Sequence, residues 1–206
     1  LLLCFYPFHH HYSQEGRPYS LFMLLTLALF LILFRSLKQS GRFVWVCFAA
    51  VSVLSFYANA YTAIVLFVQL LILAYHQLVK HEIWPPALRR IAVFMFCSLV
   101  AAIAYIPWLR YSYFNAKGNA PPGNMFRLFA EMVKGLGDGS YPLAFALILC
   151  AAAGIYHLRK TQRSFEAGAL LIWMIAPFPL VLAVLNLRNY FFSTRQLIFI
   201  VPALMM

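Results

Sequence analysis

The residues best placed to do chemistry lie together near the start of the chain, in His11-Tyr12-Ser13-Gln14-Glu15-Gly16-Arg17-Pro18-Tyr19-Ser20. This stretch sets a carboxylate, a guanidinium and two phenols at the mouth of an apolar run that carries no charge until Arg35. Only five residues of the chain are acidic, and a Glu at a membrane boundary is costly unless it is hydrated, paired or bound to a cation. Arg17 offers a planar fork that grips phosphate oxygens in pairs. On a regular helix two residues spaced i, i+2 diverge. Gly16 and Pro18 instead favour a non-helical turn that lets Glu15 and Arg17 face one cavity, with Tyr12 and Tyr19 beside them as hydrogen-bonding phenols. The plainer account is a solvated helix N-terminus, because charges at span ends are the least costly kind and Pro18 suits a first helical turn. The residue types alone leave both accounts open.

Composition decides the setting. The chain is 64% hydrophobic and 10% charged, with a mean hydropathy of +0.81, against about 25% charged in soluble domains. A multi-pass membrane protein is expected, all-α, with the bilayer as its first partner. The net charge of +11 raises the question of nucleic acid, but the cations stand singly between apolar runs and form no stripe. Cys4, Cys47, Cys97 and Cys150 fall inside apolar runs at wide spacing and read as small packing residues. His9, His10 and His11 are adjacent, so their side chains diverge and make a poor three-ligand metal site.

Six full spans and truncated ones at both ends are expected. Leu1 to Phe5 reads as the tail of a preceding span. Tyr19 to Phe34 is the first full one, inside 17 uncharged residues between Arg17 and Arg35, near the lower limit for a core of about 30 Å. The 37 uncharged residues between Arg42 and Lys80 suit two helices in a tight hairpin, with Tyr57-Ala58-Asn59-Ala60-Tyr61-Thr62 as the turn. Lys80 to Arg90, containing Pro85 and Pro86, reads as a link. Ile91 to Leu109 is the next span, with Trp108, Tyr111 and Tyr113 as an interfacial belt. Arg110 to Tyr141 reads as one long loop holding a short interfacial helix, capped by Asn124 and ending near Gly135, with Met125, Phe126, Phe129, Met132, Val133 and Leu136 on one face. Spans from Gly139 to Leu158 and from Ala167 to Leu187 follow, the second kinked at Pro177 and Pro179. After a loop to Arg195 a last span begins.

Orientation follows from the links. Those at Arg35–Arg42, Lys80–Arg90 and Arg159–Glu166 hold nine Lys and Arg. The opposite side holds seven, four of them in the long loop, which counts less. The bias makes the three links cytoplasmic and puts the Glu15–Arg17 stretch, the long loop and Arg195 on the external face.

On the residues quoted above, "PFHHHYSQEGRPYSL" resembles the "P…YSQE-x-R-x-YAL" signature of bacterial integral-membrane glycosyltransferases. These are the GT-C enzymes related to protein O-mannosyltransferases and to the aminoarabinose transferase of lipid A. "Arg195-Gln196…Val201-Pro202-Ala203-Leu204" is similar to the family's C-terminal "R-Y-x-x-x-x-x-P-A-L" element, with Leu197 and Ile198 where an aromatic is more usual. "Tyr57-Ala58-Asn59-Ala60-Tyr61-Thr62" resembles its "LYTHY" hairpin tip, with Asn59 near the usual His. The likeness covers the order of elements along the whole chain, and only the stretch from Tyr12 to Tyr19 is specific.

The resemblance implies a GT-C-like helix bundle in the bacterial inner membrane. It implies inverting transfer of a sugar from a polyprenyl-phosphate donor to a lipid, glycan or protein acceptor on the periplasmic or external face. Arg17 and Arg195 are the candidates for the donor phosphate, Glu15 for donor positioning or a divalent cation, and Tyr12, Tyr19, Asn59 and Tyr61 for polar contacts. Arg195 also suits a snorkelling anchor, and Asn59 and Tyr61 suit an interfacial turn. The family's catalytic carboxylate lies in a loop upstream of the signature. The chain starts at Leu1, shows no charged signal-peptide n-region and stops inside an apolar run, so it is expected to be an internal fragment without that base. A transporter is the alternative, although no span carries an acidic residue at mid-membrane and the two halves show no matching interruptions. A scaffold protein would not need the clustered polar signature.

Single cysteines at positions 40 and 161, in a background lacking the native cysteines, should resist an impermeant thiol reagent in intact cells. Cysteines at 59, 117 and 189 should react. The reverse pattern would overturn the orientation.

Overall fold

The computed structural model describes residues 19–38, 41–80, 84–115, 130, 134, 140–161, 163–181 and 200. Among these the ordered elements are six helices: α1 (Tyr19–Lys38), α2 (Arg42–Ala58), α3 (Thr62–Lys80), α4 (Trp84–Asn115), α5 (Tyr141–Lys160) and α6 (Ser164–Ile175). No strand occurs among the described residues. Five helical stretches are long and apolar enough to cross a membrane, and α2 is a shorter apolar helix of 17 residues, about 25 Å at 1.5 Å per residue. The all-α polytopic helix architecture expected from composition is what the chain adopts.

The distribution of side chains is that of a protein solvated by lipid. On α1 the buried positions are Phe22, Met23, Thr26, Leu29, Phe30, Leu33 and Ser36, spaced by three and four so that they form one stripe. Leu24 and Leu31, off that stripe, are more than 60% exposed. Thr26, Ser52, Ser55, Thr62 and Gln69 are fully buried, whereas Phe43, Phe96 and Phe145 are largely exposed. Water would penalise that arrangement and hydrocarbon favours it. Two of the buried hydroxyls satisfy themselves locally: Ser36 Oγ donates to the Leu33 carbonyl at 2.7 Å and Ser52 Oγ to that of Phe48 at 2.8 Å, the usual recourse of Ser inside a helix.

Two units organise the chain. In Leu21–Lys117 the closest pairing is between α2 and α4. Phe48 meets Phe94 with ring centroids 5.2 Å apart, and Phe56 stacks on Tyr105 at 5.4 Å and 27°. Residue numbers rise together along the two helices, so α2 and α4 run parallel, and α3 supplies the return crossing between them. Phe48 is fully buried and Phe94 nearly so. The link expected up to Arg90 is shorter than the sequence suggests. α4 begins at Trp84, because Pro85 and Pro86 occupy a first turn whose N–H groups have no intrahelical acceptor to lose. At its other end α4 continues through Pro107 to Asn115, so 110–115 are helix where a loop was expected.

The second unit includes Gly118–Met206. Here α5 and α6 pack on one another, with Ala144 and Ala151 buried on α5 and Ala167, Ala169 and Trp173 on α6. Small residues allow close approach where no water drives association. Thr161 closes the α5 end, its Oγ1 donating toward the carbonyls of His157 and Leu158 at 3.1 Å. The expected break in the following span is present: α6 ends at Ile175, Ala176 is a turn, and 177–181 are again helical. Pro177 and Pro179 cannot donate to the carbonyls four residues back. Ala130 and Lys134 are helical, with the Lys134 ammonium 5.8 Å from the Tyr141 ring centre. The rest of the expected interfacial helix lies outside the described residues, as does the Arg195 span apart from the buried Ile200.

Phe48→Ala should destabilise the protein by about 3–5 kcal/mol, and the lipid-facing Leu99→Ala by far less. Apparent Tm in detergent checks this; equal losses would refute the placement of the α2–α4 core.

Candidate functional site

Of the residues singled out in the sequence, Tyr12, Glu15, Arg17 and Arg195 lie outside the described residues. Tyr19 is described as the first residue of α1, half-buried, which puts the end of the signature at the start of an apolar helix. Asn59 and Tyr61 form the α2–α3 turn, and here the local chemistry can be followed atom by atom.

Asn59 ends one helix and starts the next. Its backbone N–H donates to the Ser55 carbonyl at 2.8 Å, and its own carbonyl accepts from Thr62 N at 3.1 Å. Its side-chain Oδ1 accepts from Tyr61 N at 3.0 Å, an Asx turn that satisfies one of the donors otherwise orphaned at a helix start. Thr62 Oγ1 donates to the Asn59 carbonyl at 2.7 Å and lies 2.8 Å from Ser55 Oγ. A hydroxyl carries one hydrogen. With Thr62 using its own on Asn59, Ser55 is the donor of the pair. Ser55 was not singled out in the sequence, and Thr62 only as the last residue of the turn; a Ser seven residues before a Thr gives no signal until the hairpin closes.

Around this turn sits an aromatic collar. Tyr61 is 9% exposed, so its ring is a packing element. Tyr57 is half-exposed, meets Tyr105 edge-on at 6.0 Å and donates its hydroxyl to the Ala104 carbonyl at 3.0 Å. Pro107 has no N–H to give the α4 ladder, where the carbonyl four residues back is that of Ile103; the Tyr57 hydroxyl binds the next carbonyl along, that of Ala104. With the Asn59 acceptor engaged in the turn, what remains for a ligand is its Nδ2 amide, a donor of two hydrogens.

A second polar feature lies deeper. Thr62, Gln69 and His76 recur at intervals of seven on α3 and are all buried, and both amide atoms of Gln69 lack a hydrogen-bond partner. The α3 sequence reads as apolar, and the structure shows that these three polar residues lie on its inward face. Among the described residues no three His, Cys, Asp or Glu side chains gather to hold a metal ion. No protein-family model, curated protein or solved structure matches the chain.

Asn59→Ala should lower stability by about 1 kcal/mol through loss of the turn acceptor. Asn59→Asp keeps that acceptor and removes the amide donors, so it should leave Tm within experimental error. A large Tm loss in the Asp variant would show that the amide hydrogens, not Oδ1, hold the turn.

Proposed function

We propose that this protein is an integral-membrane glycosyltransferase of the GT-C kind. It takes a sugar from a polyprenyl-phosphate donor and transfers it to a lipid, glycan or protein acceptor at the external membrane face. The observation that carries the reading is the Tyr12–Tyr19 stretch, where Glu15 and Arg17 stand immediately before the apolar helix that begins at Tyr19. A lipid-linked donor holds its phosphate at headgroup depth, and a guanidinium at a span mouth is the group suited to it. In this reading Arg17 binds the donor phosphate and Glu15 orients a polar group of the donor.

A transporter is the second reading, favoured by one observation: the buried, unpartnered Gln69 on a membrane-length helix. Polar groups inside spans mark substrate paths in such proteins.

Transfer from a polyprenyl-phosphate sugar by the full-length protein tests both, with folded yield measured alongside. Loss of a charge-assisted contact costs about 1.5–3 kcal/mol, so Arg17→Ala and Glu15→Gln should each lower turnover roughly ten- to a hundredfold. Arg17→Lys keeps the charge without the fork and should be partly active. Gln69→Leu should leave transfer near the wild-type rate. Normal turnover of both Arg17→Ala and Glu15→Gln at normal yield would reduce the pair to a solvated helix end.

A further inference from the structure

A half-open groove of about 720 Å³ runs along the α2–α4 seam, within the range of small-molecule sites. Arg42, Arg89 and Arg90 line it, and none of the described lining residues is acidic. Arg42 opens α2 and is exposed; Arg89 and Arg90 lie in the early part of α4, exposed and half-buried respectively. Beyond these cations the wall is apolar, built by Trp45, Val93 and Phe96 and reaching Val100. Phe96 is 66% exposed, so the groove opens sideways past an apolar edge.

The dimensions fit a lipid. From Arg89 to Val100 the α4 axis rises about 16 Å at 1.5 Å per residue, close to half of a hydrocarbon core of about 30 Å. The cationic end and the apolar wall therefore divide as a phospholipid of one leaflet does. Arg42 and Arg89 bring two exposed guanidinium groups to the rim of one space, and a phosphate diester accepts their paired N–H donors. Basic pockets between spans hold anionic headgroups for this reason.

We propose that the groove binds one anionic phospholipid from the leaflet at the Gly41 end of α2. Its phosphate lies among Arg42, Arg89 and Arg90, and one acyl chain runs along Trp45, Val93 and Phe96. The site is at the opposite end of α2 from Asn59 and does not depend on the glycosyltransferase reading.

The test uses the full chain, purified and delipidated in detergent, with lipid retention followed by native mass spectrometry and thermal stability. Phosphatidylglycerol should bind at one per chain and raise Tm. Phosphatidylcholine, diacylglycerol and inorganic phosphate, which lack the net charge, the phosphate and the tails respectively, should bind at least tenfold more weakly. The double variant Arg42→Gln/Arg89→Gln should weaken phosphatidylglycerol binding roughly 20- to 30-fold, at about 1 kcal/mol per headgroup cation. Ala49→Trp, which fills the groove and leaves the charge alone, should weaken it as well and decides the matter if the double variant does not fold. Unchanged phosphatidylglycerol binding in Ala49→Trp overturns the proposal. So does phosphate or diacylglycerol binding as tightly as the intact lipid, or a lipid-free dimer whose contact is broken by Ala49→Trp.

Discussion

In hydrocarbon a backbone N–H or C=O without a partner has no water to fall back on, and each such group costs several kcal/mol. The described part of this protein is arranged around that constraint. Its elements are helices, whose peptide groups pair internally, and at the α2–α3 turn and the end of α5 side chains intervene where the helix stops. The α2–α3 turn shows the solution at highest density. Asn59 contributes a backbone donor, a backbone acceptor and a side-chain acceptor within three residues, and Ser55 and Thr62 close the remaining gap. At Pro177 the same constraint recurs as a helix break after Ile175.

That constraint also explains why small polar residues are found in an otherwise apolar interior. Once backbone groups are satisfied, helix association in lipid depends on close packing and on hydrogen bonds, since apolar burial gains little against lipid tails. Ser, Thr and Ala therefore sit inward beside Phe and Leu, while other Leu and Phe side chains stay exposed. The α2–α4 contact adds aromatic pairs at two levels, Phe48 with Phe94 and Phe56 with Tyr105, which holds the two parallel helices in register. The same register leaves the groove lined by Arg42, Arg89 and Arg90 at one end of the seam and the Tyr57–Ala104 bond at the other. Two kinds of polar chemistry thus occupy opposite ends of a single packed pair.

For function, this division matters because a lipid-linked substrate and a resident lipid make similar demands. Each needs a cation at headgroup depth and an apolar wall below it. Arg17 meets the first demand at the start of α1 in the proposed enzyme. The groove at the Gly41 end of α2 meets both, with Arg42 and Arg89 at its rim and Trp45, Val93 and Phe96 as its wall. Gln69 belongs to neither place, and a fully buried amide without a partner is the least expected residue on α3.

The sequence by itself determined the helical class, the membrane setting and most element positions. Charge-free runs of membrane length leave the chain few alternatives, and the hairpin tip at Asn59 was legible because turn residues interrupt an otherwise apolar stretch. It also singled out Glu15 and Arg17, since ionisable groups at a span boundary are conspicuous in so apolar a chain. Boundaries near proline were misjudged: Pro85 and Pro86 read as a link and proved to be the first turn of α4, because proline is compatible with a helix start and incompatible only with its interior. Tertiary structure alone decided which face of each helix turns inward, since span residues are nearly uniform in hydropathy and give little moment to read. It alone brought Arg42 beside Arg89 and Arg90, residues nearly fifty apart in sequence whose neighbourhood exists only because α2 and α4 pack in parallel.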